Sequence, residues 1–207
     1  VDFEMGFIEN EHTIMDLVER LFTYIVDQLN IRCMKELELL GVTIEPIKKI
    51  PRIPMSDAKA YLKTVGKELG EDDDLDAEAE RLLGVYAKEN FGSDFVFITD
   101  YPWAVRPFYH MKPQDPKVTR SFDMLFRGVE IATGAQREHR LEVLSTQAEE
   151  KGIDLGTMKK YAEIFQYGMP PHGGVGFGLD RITHRLLSLD NVREAVLLPR
   201  DPERNMP

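Results

Sequence analysis

Residues 174–181 read GVGFGLDR, three glycines at alternate positions running into an arginine at the mouth of an amphipathic segment. Alternate residues of an extended chain share a face, so Gly174, Gly176 and Gly178 strip the side chains from one face of such a segment. A backbone bared in this way can lie flat against a ligand, and Arg181 supplies a planar cation able to stack on a base or grip a phosphate. Taken alone, the triplet also reads as a glycine-rich turn closing a helix.

The rest of the chain is a mixture of strand and helix patterns. Val1, Phe3, Met5 and Phe7 alternate with Asp2, Glu4, Gly6 and Ile8, which predicts a strand with one apolar face and one carrying carboxylates. Apolar residues at helical spacing, from Ile14 through Leu17, Val18, Leu21 and Phe22 to Ile25, predict one long helix over 12–40. Three prolines in 44–56 exclude a helix interior there, and Ser56 is placed to cap the helix that follows. Further helices are expected over 76–90, 136–150, 156–167 and 179–189. Strands are expected over 94–99, over 122–132 as one piece, and over 194–199, with a proline-punctuated loop at 101–109. No regular β-α-β alternation exists, so a doubly wound parallel sheet is disfavoured and the fold class expected is α+β.

At 207 residues, 43% hydrophobic and 30% charged, the chain can fill one sizeable core. No apolar run approaches the roughly 20 residues of a membrane span, and the N-terminus lacks signal-peptide form. The single cysteine, Cys33, cannot pair internally and reads as a structural thiol in a helical pattern. A net charge of −10 argues against the chain as a whole coating nucleic acid, although a local basic patch remains compatible with RNA contact. The EDDD run at 71–74 lacks the interleaved ligands of a calcium loop and is assigned no metal. His12, His110, His139 and His184 form no ligand spacing with Cys33, so no zinc site is expected, and no phosphate-binding P-loop occurs.

Several side chains stand out chemically. Glu130 shares an alternation with Met124, Phe126 and Gly128, and a carboxylate ending an apolar row needs a cation, a donor set or a raised pKa. An exposed strand end, or an ion pair with Arg140, is the plainer reading. Arg137, in QREHR, offers a fork suited to a carboxylate, or neutralises Glu138 at the start of a helix. Asp2 and Glu4 lie on the polar face of the first strand. Arg106, before Pro107, is aimed by a rigid turn into a site or held in a structural ion pair; His172 touches a ligand or is a hydrogen-bonded loop histidine.

The glycine stretch, with SFDMLFRGVEIATGAQREHR at 121–140, DNVREAVLLPRDPERNMP at 190–207, VDFEMGFIENEHTIMDLVE at 1–19 and YPWAVRPFY at 101–109, resembles the catalytic domain of archaeal-type aspartyl-tRNA synthetases, class II aminoacyl-tRNA synthetases. GVGFGLDR matches that class's third signature motif, G-x-G-x-G-x-x-R. The resemblance spans the chain and is weakest over 43–90.

It implies an antiparallel class II sheet flanked by helices and incomplete at the N-terminus. Residues 1–207 would be the C-terminal part of one catalytic domain, with the anticodon-binding barrel and first signature motif outside them. It also implies ATP, L-aspartate and tRNA as substrates, Mg²⁺ as the metal, a cytoplasmic homodimer in the intact protein, and little activity for this part alone. By the same resemblance, Glu130 binds Mg²⁺ and ATP and Thr133 shares the metal. Gly178, Leu179, Asp180 and Arg181 contact ATP, with Arg181 covering the adenine. Arg137 holds the side-chain carboxylate of the amino acid, with Thr133 nearby, and Asp2 meets its α-amino group. An unpaired guanidinium fork would reject asparagine by roughly 10⁴-fold or more. The tRNA charged would be that for aspartate, with that for asparagine as an option. Two alternatives stand beside this: a barrel-less paralogue making asparagine through aspartyl-adenylate, and a non-catalytic regulatory module.

Overall fold

A computed structural model of the chain describes residues 1–203 and 206. The alternating start forms strand β1 (Asp2–Gly6), shorter than its pattern. Val1 is exposed, and Phe7 turns out of the strand at φ 58° with its ring in solvent. Helix α1 (Glu11–Arg32) is capped by the Asn10 side chain, which accepts from the His12 amide, and buries Ile14, Met15, Val18, Phe22 and Val26. The single helix expected over 12–40 is in fact two. At Cys33 the backbone leaves helical geometry, and α2 (Met34–Leu40) redirects Leu37 onto Val26 and Ile44.

A short strand, β2 (Arg52–Pro54), leads directly into α3 (Met55–Thr64). Ser56 is not the cap. Pro54 holds that position with its fixed φ, and the Ser56 hydroxyl reaches only the Asp57 carboxylate. Helix α4 (Ala77–Phe91), capped by Asp76, precedes the fully buried strand β3 (Phe95–Thr99).

The stretch 122–132 is a hairpin, not one strand: β4 (Ser121–Phe126) and β5 (Val129–Arg137) flank Arg127 and Gly128, both at positive φ. Two left-handed residues make a type I′ turn, and Arg-Gly signals it weakly beside the usual Asn-Gly. Helix α4 packs on this turn so closely that a Cβ on Gly84 would lie 2.5 Å from the Gly128 nitrogen. Because β5 runs on to Arg137, the helix expected from 136 begins later, as α5 (Leu141–Glu150). A 3₁₀ turn over 155–158 precedes α6 (Lys159–Phe165), then come β6 (His172–Phe177) and α7 (Leu179–Leu186). The strand expected over 194–199 does not form: 192–195 is a 3₁₀ turn closed by a capping box from Asn191 and Glu194, and Leu197 stays in solvent.

One six-stranded sheet results, ordered β1-β6-β5-β4-β3-β2 and antiparallel except where β2 meets β3. The α+β class stands. One face carries Phe3, Met5, Val175, Phe177, Phe122, Met124 and Phe97 against the apolar side of α1. On the other face, α3 and α4 cover Val96, Ile98 and Leu125 through Ala58, Leu62, Ala79 and Leu83. That cover reaches the start of β5, where Glu80 accepts from the Glu130 amide, and does not extend over β6 and β1 on this side. Among the described residues, no helix is long and apolar enough to cross a membrane.

Candidate active site

The cross-strand register sets out the open face residue by residue. Asp2 lies opposite Gly176 and Glu4 opposite Gly174. Gly176 in turn lies opposite Thr133, Gly174 opposite Ala135 and His172 opposite Arg137. Directly paired residues share a face, so Asp2, Glu4, Thr133, Ala135 and Arg137 surround a floor of bare glycine.

Glu130 joins this face through an irregularity. Residues three apart on a regular strand point opposite ways, yet Leu125 pairs with Glu130 while Met124 pairs with Ala132, so Ile131 is a bulged extra residue. The bulge brings Glu130 to the side of Thr133, whose hydroxyl donates to its Oε1 at 3.0 Å. The expectation that Glu130 continues the Met124–Phe126 row is therefore overturned, because the turn at 127–128 puts it on a different strand. Nor does it pair with Arg140, which binds Glu138 instead.

A cavity of about 420 Å³ opens here, lined among others by Asp2, Glu130, Thr133, Gly176, Gly178 and Arg181. Burial pushes the Glu130 carboxyl above its ordinary pKa and the Asp123 carboxylate pushes it further, against the Thr133 hydrogen bond and the attraction of Arg181. Glu80, whose Oε2 accepts from the Glu130 amide at 2.8 Å, is raised as well, first by burial. Arg181 bends across the mouth, donating from Nη1 to the Glu130 carbonyl at 2.9 Å, with the Glu130 carboxylate 3.5 Å away. Gly178 caps α7, and Leu179 and Asp180 form its first turn, outside the cavity lining.

The two glycines of the floor differ in kind. A Cβ on Gly174 would strike the Phe3 carbonyl at 2.2 Å and the Glu4 carboxylate, whereas a Cβ on Gly176 would meet nothing within 4 Å. The first lets β1 and β6 approach. The second leaves a space that no described residue fills.

Arg137 ends β5 about 13 Å from Thr133, four residues at ~3.3 Å each. Only Ala135 on β5 and Gly174 on β6 lie between them on this face. Its Nε and Nη2 donate to Glu4 Oε1 at 3.2 and 2.8 Å, and Nη1 donates to His110 Nε2 at 3.0 Å. Arg137 thus pairs with Glu4, not Glu138, and Glu4, half-exposed, is its ion-pair partner. Arg106 is not part of the cavity lining: it is held bidentately by Asp123 at 3.2 and 2.5 Å and stacked 3.7 Å over Tyr101, so the structural ion pair is what forms. His172 opens strand β6 and so does not lie in a loop, and its Nδ1 is 3.0 Å from the Pro170 carbonyl.

Sequence reasoning missed Glu80, Asp123 and His110. Asp123, a lone carboxylate in the apolar run FDMLF, carried the very signal that was read into Glu130. Glu80 and His110 carried none, since only tertiary contacts bring them here.

The model of the family of tRNA synthetases class II (D, K and N) matches residues 1–202. The chain belongs to that family. Across its full length it is 46% identical to an aspartate–tRNA(Asp) ligase of Pyrococcus horikoshii and 47% identical to an aspartate–tRNA(Asp/Asn) ligase of Aeropyrum pernix, covering 48% of each. The chain therefore spans about half the length of the curated relatives it matches. Among solved structures, an aspartyl-tRNA synthetase from Entamoeba histolytica superposes with a TM-score of 0.94 at 38% identity, over 100% of this chain and 44% of that one. An asparaginyl-tRNA synthetase from Pyrococcus horikoshii, complexed with asparaginyl-adenylate, superposes at 0.90 with 31% identity, over 100% of this chain and 48% of that one. The class II resemblance read in the glycine motif holds for the family and for the antiparallel fold.

Proposed function

We propose that this synthetase chain binds ATP and L-aspartate in an aspartate–tRNA ligase, which makes aspartyl-adenylate and then transfers aspartate to the 3′ end of tRNA. The observation that carries this is the row along one sheet face, with Arg137 at one end and Glu130, Thr133 and Arg181 at the other. A guanidinium fork binds a carboxylate through two charge-assisted bonds, while an asparagine amide offers one acceptor and two donors that the fork repels. Asp2, across from Gly176, would meet the ammonium group of the amino acid. The unfilled space over Gly176 gives a nucleotide room against the backbone, and Gly178 and Arg181 flank it.

The donor set fits Mg²⁺ held together with ATP. Glu130 is a carboxylate whose charge burial disfavours, and a cation would restore it; Thr133 adds a neutral oxygen. Among the described residues, no group of three or more His, Cys, Asp or Glu side chains converges on a metal position. Few protein oxygens, with phosphate and water completing the shell, is the usual Mg²⁺ arrangement. When bound there, the ion would neutralise phosphate charge.

No side chain has to act as nucleophile. The α-carboxylate of aspartate attacks the ATP α-phosphorus and pyrophosphate leaves; the terminal ribose hydroxyl of tRNA then attacks the aspartyl carbonyl and AMP leaves. Arg137 and Asp2 would orient the amino acid, and Arg181 would stabilise phosphate charge, so rate comes from alignment and electrostatics. The relatives include ligases for aspartate tRNA alone and for both aspartate and asparagine tRNAs at nearly equal identity. The homodimer belongs to the same proposal and is checked by sedimentation of the full-length protein.

The test is adenylate formation with aspartate and with asparagine by the full-length protein and its Arg137 variants. Arg137→Lys keeps the charge and loses the fork, and is expected to weaken aspartate use far more than ATP use. Arg137→Gln is expected to narrow the aspartate preference by about 1–3 kcal/mol. An unchanged aspartate-to-asparagine ratio in both variants would remove Arg137 as the reader of the side chain.

A further inference from the structure

We infer that His110 is a positioning residue for amino-acid selection, accepting one N–H of Arg137 so that two donors of the guanidinium stay free for the substrate carboxylate. The inference rests on the proposed role of Arg137. Arginine has five side-chain N–H groups and never accepts. Glu4 takes two of them and His110 one, which leaves two, the number a carboxylate fork uses.

The contact fixes the state of the histidine. Arg137 always donates, so Nε2 must accept and the ring proton must sit on Nδ1, which is buried with no hydrogen-bond partner among the described residues. Burial holds the ring well below its ordinary pKa, and the Arg137 and Arg106 cations hold it lower still. The groups around it, Arg137 and Arg106 with the Tyr109 ring edge-on to His110, include no carboxylate in hydrogen-bonding contact with it.

The backbone is fixed equally firmly. His110 bridges Arg137 as an added ladder position, its amide donates to the Pro107 carbonyl at 3.1 Å, and its carbonyl accepts from the buried Gln147 at 3.0 Å. The neighbouring Met111 amide donates to the Gln136 carbonyl at 3.0 Å, and the Glu138 amide to the Tyr109 carbonyl at 2.9 Å. The loop end is thus stitched to β5 on both sides of Arg137. The Arg137 guanidinium also lies 5.5 Å over the Tyr109 ring. Glu4 is half-exposed on the edge strand β1, whereas His110 is only 2% exposed on a backbone hydrogen-bonded to β5 and to Gln147, so the buried partner sets the angle of the fork.

The experiment measures ATP–pyrophosphate exchange by the full-length protein and its His110→Leu, His110→Phe and His110→Gln variants, with melting temperatures. The two apolar variants remove the acceptor, and glutamine keeps one through its side-chain oxygen. Expected for the apolar variants is a rise of about tenfold in the KM for aspartate and a smaller aspartate-to-asparagine ratio, with the KM for ATP within about twofold. His110→Gln should stay within about threefold of the parent in all three. The inference is overturned if an apolar variant keeps the parent KM for aspartate, or if both KM values rise together. It is also overturned if only His110→Gln folds, which would make the residue structural. A parent protein with no aspartate-dependent exchange would instead overturn the functional reading, and this inference with it; a parent that uses aspartate beside unchanged apolar variants would sink this inference alone.

Discussion

Two halves of one sheet are treated differently by the chain. In β3 and β4 every residue is buried, because α1 covers one face and α3 with α4 covers the other. In β1 and β6 the burial alternates or lapses, since α3 and α4 reach no farther than the start of β5. The covered half holds its polar groups in closed pairs, such as Arg106 with Asp123. The open half leaves Glu130 and Arg181 lining the cavity, with Arg137 farther along the same sheet face. Stability and chemistry are therefore carried by different strands of a continuous sheet, and β5 is the seam.

The sharpest way to break that division is to compare one deletion from each half. Leu83→Ala, in the fully buried contact of α4 with the sheet, is expected to lower stability by about 2–5 kcal/mol. Arg181→Ala removes a half-exposed cation and should leave the melting temperature in place while cutting ATP–pyrophosphate exchange by about 10²–10³-fold or more. Calorimetry and exchange on the full-length protein read both. Exchange within a few-fold of the parent for Arg181→Ala would mean that the open half carries no such chemistry.

A finer cut runs between Gly174 and Gly176, two residues apart on the same strand. Gly174→Ala would drive a methyl into the Phe3 carbonyl, so it is expected to destabilise the β1–β6 pair by about 1–3 kcal/mol. Gly176→Ala meets nothing, so it should keep the parent melting temperature and raise the KM for ATP. Equal thermal losses in both variants would erase the distinction between a packing glycine and a ligand glycine.

A small, pH-dependent thermal shift is expected at Glu130. Its pKa is raised in the folded state, so the unfolded chain gives up this proton at lower pH, and ionisation disfavours the fold once the pH exceeds the folded pKa. The stabilising share of the protonated form is full below the unfolded pKa and is lost as pH rises through the raised one. Glu130→Gln should accordingly melt roughly a degree or two higher at pH 7 and at the parent temperature below the carboxylate range. The same variant should lose most exchange activity, with added Mg²⁺ restoring only part. A variant that melts lower at pH 7, or that keeps the parent Mg²⁺ dependence, would make Glu130 a structural carboxylate.

What was legible in the sequence is what local periodicity and backbone chemistry encode. The apolar rows of α1 and α4, the strand 95–99 and the bare glycine segment each follow from the spacing of their own residues. Arg137 was singled out by the resemblance to the family, while the same logic marked Glu130 and Arg181 as residues whose chemistry asks for a partner. It could not say which partner. The type I′ turn at 127–128 rests on Arg-Gly, a pair that adopts positive φ here beneath α4, and without it Glu130 was read on the wrong strand. The bulge at Ile131, which brings Glu130 beside Thr133, exists only in the pairing of β5 with β4. Glu4 and His110 meet Arg137 across 133 and 27 residues of chain, and the end of β5 at Arg137 depends on β6 pairing with it. The sequence by itself determined the α+β elements and the type of chemistry. Tertiary structure decided which face each group occupies and what it touches, because sheet register and bulges are set by interactions between segments and not within them.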